Sequence, residues 1–294
     1  MLDLVLQAAL SGILTGGYYL LLGLGLSLIF GTMRIVNLAH GEVAVFAAYI
    51  CYFAEQRFNL DPLLVLPLSV LGGGLLSLFI GLVVERIKVN RELNSLILTY
   101  GVSVTLVNVF VITFSATPHS TESVSFNDAI YLGESFFLTK GSLMFFTAAA
   151  IFAGALWFWL QKTWTGRGIR AVSSTPVLAA LCSVNARIVE RLSFFVAGCL
   201  GGAAGVAVYA LQSINPGSGH LLTIKAFVIT VLAGAGSVSG IAVASILVGL
   251  SEALTTTLVS SSMRDLGTFV LFLIILILRP SGLFGAKVLR GSRQ

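Results

Sequence analysis

The chain has 294 residues, 57% of them apolar and only 10% charged, against about 45–50% and about 25% in an ordinary soluble domain. With a mean hydropathy of +0.99, a water-soluble globule is excluded, and apolar runs of about 20 residues between short polar breaks read as an all-α polytopic membrane protein. The net charge of +5 resembles a nucleic-acid signal until the positions are read: the basic residues sit at the ends of apolar runs, so the expected neighbour is a lipid bilayer and not a nucleic acid. Cys51, Cys182 and Cys199 have no CxxC spacing, which points to neither a disulfide framework nor a metal site.

The first apolar run covers residues 4–31; it carries Asp3 before it and no basic leader, so it reads as a mature span rather than a cleaved signal peptide. A polar break follows, then runs near 43–56, 62–84 and 95–114, with Arg86, Lys88 and Arg91 between the last two. Segment 115–140 holds Glu122, Asp128 and Glu134 and reaches no basic residue before Lys140. By the positive-inside rule, 86–91 is cytoplasmic and 115–140 is an external loop. A fifth run at 141–160 returns to the most basic segment, 162–191, which is again cytoplasmic. Run 192–212, an external turn at 215–220, an interrupted stretch 221–258 and a last run 266–278 complete the chain. This count places the N-terminus outside (periplasmic) and the C-terminus inside, with eight to nine crossings depending on how the two broken helices pass.

The breaks lie at 31–42 and 233–240. Each interrupts apolar sequence with glycines and small polar residues, and irregular backbone at membrane depth needs protein or a water-filled cavity to satisfy it. Asn37, His40, Gly41 and Glu42 in the first, with Ser237, Ser239 and Gly240 in the second, are therefore candidates for a translocation pathway, since paired breaks in transporters mark half-helix ends directed at solute. Tight helix crossing is the alternative use of the same glycines. His40, Glu42, Lys225 and Glu252 are ionisable groups near or inside apolar runs, where an unpaired lipid-facing charge costs at least about 2.5–3.5 kcal/mol. They face protein or water, either as solute or gating groups or as buried partners that lock helices.

Within 162–191, Thr175 is placed to cap a short helix, Pro176 stands at its first position, and Val177, Leu178, Ala180 and Leu181 give it an apolar face. Asn185 reads as its left-handed stop. A two-turn helix is marginal alone and must pack on its own spans or on a soluble partner.

At this point the sequence resembles the permease subunits of branched-chain amino acid ABC importers of the high-affinity leucine/isoleucine/valine type, over essentially the whole chain. The resemblance is carried by Val36-Asn-Leu-Ala-His-Gly-Glu42, by Gly166-Arg-Gly-Ile-Arg-Ala171 followed by Val184-Asn185, by Lys225-Ala-Phe227 with the glycines of 234–240, and by Arg279-Pro-Ser-Gly-Leu-Phe-Gly285. Ser183 stands where the family usually has Gly. The resemblance implies a single transmembrane permease domain over 1–294 in the inner membrane of a bacterium. It makes 162–191 a coupling loop that docks on an ATPase through Gly166, Arg170, Ala171, Pro176, Leu178, Ala180, Leu181 and Asn185. It further implies a second, related permease in a heterodimer, two ATPase subunits that hold ATP and Mg, and a periplasmic solute-binding protein that meets 115–140. The chain has no GxxxxGK[ST] phosphate loop, so it is expected to bind no cofactor and to be no enzyme itself. A permease for urea, short amides or another small solute, and an ion-driven secondary transporter, are the competing functions.

Overall fold

The computed structural model describes residues 1–121, 123, 126, 128–131, 136–234 and 236–284; Glu122, Glu134 and the basic tail Lys287, Arg290 and Arg293 lie outside the described residues. Among the described residues, seven helical segments are long and apolar enough to cross a membrane: α1 (Leu2–Met33), α3 (Pro62–Val84), α4 (Arg91–Phe114), α5 (Lys140–Lys162), α8 (Ala186–Leu211), α10 (Val238–Leu258), and α11 (Arg264–Leu278) with the 3-10 turn Ser261–Met263 before it. Two further helices, α2 (His40–Phe58) and α9 (Ser218–Ala233), complete the bundle, and α6 (Trp164–Ser174) and α7 (Pro176–Leu181) lie in the basic loop. A two-stranded antiparallel hairpin, β1 (Ala129–Tyr131) with β2 (Phe137–Thr139), lies in the segment between α4 and α5.

Helix α8 runs through the middle, flanked by α1, α2 and α3, while α10 packs along α1 and carries α11 on its outer side. Glycines on α8 let it meet α3 closely: a Cβ on Gly202 would lie 2.7 Å from the Ser69 carbonyl. Helix α3 starts with the Asp61 carboxylate accepting from Leu63 N at 2.9 Å and Pro62 at the first helical position.

The outer faces differ. Those of α3 and α11 are unbroken apolar surfaces, Leu64, Leu68, Leu75 and Phe79 on one and Leu266, Phe269, Leu273 and Ile277 on the other. Helix α4 buries only Ser95, Thr99, Ser103 and Phe110; its exposed side carries Tyr100, Thr105 and Asn108 among its apolar residues.

Candidate functional site

The first break is a return. After Met33 the chain turns through Arg34 in the left-handed region (φ 55°), passes residues 35–39 without regular structure yet largely buried, and restarts as α2 at His40. His40 Nε2 lies 3.2 Å from the carbonyl oxygen of Leu22, eleven residues before the end of α1, or about 16 Å of helix and so about half a hydrocarbon thickness from that end. Helix α9 begins at the same place. Gly41 N donates to Thr223 Oγ1 at 2.8 Å, and the Thr223 hydroxyl lies 3.2 Å from the Leu38 carbonyl and 3.0 Å from that of Gly219. A Cβ on Gly41 would collide with the Gly219 carbonyl, so only glycine lets the two helix starts approach this closely. Two helix N-termini thus meet inside the bundle, and a hydroxyl from one satisfies an open N–H of the other.

Polar atoms without partners collect around this junction. Asn37, His40, Glu42 and Ser95 are all wholly buried, and neither Glu42 oxygen, nor Asn37 Nδ2, His40 Nδ1 or Ser95 Oγ, has a hydrogen-bond partner among the described residues. Ser95, Thr99 and Ser103 recur at every fourth position, so that one edge of α4 faces the break; Thr99 Oγ1 accepts from Leu38 N at 3.2 Å. Glu42 sits beside Ser103, Thr223 and His220. His40 turns the other way, against Gly25 and Gly201. Two positions apart on one helix, His40 and Glu42 point about 200° away from each other and do not pair.

The second break is a different kind of place. Ser237 Oγ accepts from Gly240 N at 3.0 Å and caps α10, with the Ser239 hydroxyl 3.3 Å from it. The segment after α11 closes this turn: Leu283 N donates to the Leu232 carbonyl at 2.7 Å and Phe284 N to that of Ala233 at 3.2 Å. Gly282, at φ +81°, fits where a Cβ would lie 2.7 Å from Gly234 N. That contact gives the Pro-Ser-Gly-Leu-Phe motif its physical role. A cavity of about 80 Å³ lies between this turn, Gly31 and Thr32 at the end of α1, and Arg170 and Ser173 of α6. The pathway residues grouped by sequence therefore fall in two places, separated by the 16 residues of α9. The partner of the 37–42 junction is the start of α9 at 215–219, which reads in sequence as an external turn because Asn-Pro-Gly has the composition of any surface loop.

The basic loop holds two helices where the sequence suggests one. Thr163 caps α6 through Gly166 N at 3.1 Å, and α6 buries Gly166, Ile169 and Val172. Arg170 is exposed and bonds Gln161; Arg167 stacks 4.1 Å from the Trp164 ring centroid. In α7 only Ala179 is buried, while Val177, Leu178 and Leu181 are 73%, 59% and 78% exposed. Asn185 does not stop α7. It caps α8, its side chain accepting from Arg187 N at 3.0 Å, and Ser183 is the left-handed residue (φ 60°), at the position where the family usually has Gly. Ion pairs tie this loop to the bundle: Arg91 grips Glu190 at 2.8 and 2.6 Å, and Arg191 grips Glu85 at 2.7 and 3.1 Å.

A buried ionic cluster joins four helices. Glu252, 1% exposed, accepts from Tyr19 at 2.6 Å, Arg264 at 2.8 Å and Thr268 at 2.9 Å, and pairs with Lys225 at 2.8 Å. Lys225 also reaches Asp265 at 2.9 Å. Sequence singles out Lys225 and Glu252 but not Tyr19, Arg264 or Asp265; tyrosine pairs inside an apolar run and an Arg-Asp pair opening one are the signals that mark them.

A polytopic helical bundle with a buried polar junction, and an apolar helix edge held out on the basic loop, defines the membrane subunit of a transporter. The chain belongs to the family described as branched-chain amino acid transport system, permease component, which matches residues 8–278. It is 26% identical over 294 residues to the high-affinity branched-chain amino acid transport permease BraD of Pseudomonas aeruginosa, and equally to LivH of Escherichia coli, covering 95% of each chain in both cases. The galactofuranose transporter permease YtfT of Escherichia coli is 27% identical over 229 residues, 75% of this chain and 62% of that protein. No solved structure matches.

Proposed function

We propose that the chain is the translocation subunit of an ATP-driven importer of branched-chain amino acids, working by alternating access, with α7 as the helix that meets the ATPase. The observation that carries the coupling assignment is the outward apolar edge of α7. An exposed Val177, Leu178 and Leu181 on a six-residue helix is marginal in water and gains its stability from a partner surface. ATP and Mg belong to two such ATPase subunits, and ATP shifts the permease only through a grip that differs between its two states.

The exposed side of α4 supports the second permease. An Asn and a Thr facing lipid in mid-span are costly, whereas small and polar residues suit a helix interface; the apolar faces of α3 and α11 suit lipid. In this reading the chain crosses nine times, with α2 and α9 starting in the interior, the N-terminus outside, the hairpin segment on the side where a periplasmic binding protein docks, and the basic loop on the ATPase side; the excess of Lys and Arg in that loop supports it.

In proteoliposomes with ATPase subunits and binding protein, Leu178→Asp together with Leu181→Asp abolishes ATP-dependent leucine uptake while the permease remains inserted. Uptake at the wild-type rate overturns the coupling assignment, and uptake by the permeases without ATPase subunits overturns the ATP-driven mechanism.

A further inference from the structure

We propose that Glu42 anchors the ammonium group of the transported amino acid, an assignment that rests on the 37–42 junction being part of the pathway. Its carboxylate is wholly buried and neither oxygen has a hydrogen-bond partner among the described residues. Burying a charge without compensation is expensive, and native structures supply a partner for it. Half of that compensation is built in: the start of α9 faces the carboxylate, whose Cδ lies 2.8 Å from where a Cβ on Gly219 would stand, and a helix N-terminus favours a negative charge there. The basic group beside it is the His220 imidazole, and among the described residues neither Glu42 oxygen is hydrogen-bonded by a Lys or an Arg.

The chemistry selects the class of ligand. Glu42 stands at the meeting point of two helix N-termini and takes the place a solute carboxylate would fill there, so the zwitterion passes with its amine toward Glu42, whose ionised form the ammonium favours, and its carboxylate away. A primary ammonium brings three donors; Glu42 offers two free oxygens, and the Ser103 hydroxyl stands beside it. The door is α4, which is held to the bundle along Ser95, Thr99, Ser103 and Phe110 and exposed on its other sides, so a shift of that one helix opens the carboxylate to the pathway.

The test uses the reconstituted complex with its ATPase and binding proteins. Glu42→Gln lowers leucine uptake about tenfold or more, the effect of losing one charge-assisted hydrogen bond, without lowering thermal stability, and Glu42→Asp retains part of the uptake. In a Ser103→Cys permease, an ammonium-bearing methanethiosulfonate reacts during turnover about tenfold faster than a sulfonate-bearing one, the preference set by one nearby charge, and the preference disappears when Glu42→Gln is added. Reaction with neither reagent overturns the pathway reading itself. Reaction with both at equal rates, or wild-type uptake by Glu42→Gln, leaves the pathway in place and overturns the ammonium anchor.

Discussion

Glu252 and Glu42 are both carboxylates buried inside the same helical bundle, yet their surroundings are opposite. Glu252 has each oxygen bonded twice, by Tyr19 and Arg264 on one and by Lys225 and Thr268 on the other. Neither oxygen of Glu42 has a hydrogen-bond partner among the described residues. The first arrangement is complete and ties α1, α9, α10 and α11 into one unit; adding a ligand to it would break something. The second is incomplete, and it lies where the helices start rather than where they cross. Burial alone therefore does not distinguish the two carboxylates, whereas the state of their hydrogen bonds does.

Four substitutions test this contrast. The largest effect belongs to the junction's backbone: Gly41→Val drives a branched side chain into the Gly219 carbonyl, and folded permease in detergent extracts falls to background, as size-exclusion profiles would show. Normal yield would mean that the two helix starts do not meet as described. Next, Glu252→Ala leaves Lys225 and Arg264 with only Asp265 between them and costs about 3–5 kcal/mol, the usual penalty for breaking a buried pair, whereas Glu42→Leu, which removes no bond, leaves the denaturation midpoint of the permease unchanged or raised. Equal losses in the two variants would break the comparison. The smallest effect lies in the loop. Arg191 holds the Glu85 carboxyl below its ordinary 4.5, so the bridge stabilises the protein above that value and the gain is lost as pH falls through the lower value of the folded state. Glu85→Gln is therefore less stable than the wild type near neutrality by under about 1 kcal/mol, and the gap closes in acid; a gap that widened in acid would contradict the bridge.

Much of this was legible from residue order. The apolar runs mark α1, α3, α4, α5, α8, α10 and α11, because length and hydropathy are set by the bilayer itself. Pro176 and Thr175 mark the start of α7, although the Thr175 hydroxyl makes no capping bond. Helix α6 escapes notice because Gly-Arg-Gly-Ile-Arg has too few apolar residues to show a period; its helix is held by Thr163 and by burial of Ile169 and Val172. Asn185 and Ser183 exchange roles because Asn suits a left-handed stop and a helix N-cap equally well. The start of α9 stays hidden for a deeper reason: hydropathy records that a polar segment interrupts apolar sequence but not how far it folds back, so 215–220 reads as an external turn although α9 begins there beside Gly41.

The closing contact of the chain has a consequence for how the protein is made. Residues 232 and 233 leave the ribosome well before Leu283 and Phe284, whose amides complete the α9–α10 turn. Domains fold as synthesis delivers them, yet this turn must wait in the membrane with its carbonyls open until translation reaches the last residues of the motif. The turn that lies against α1 and α6 is therefore completed only after the last helix, α11, has been made, and a chain cut short before the motif leaves that turn unsealed.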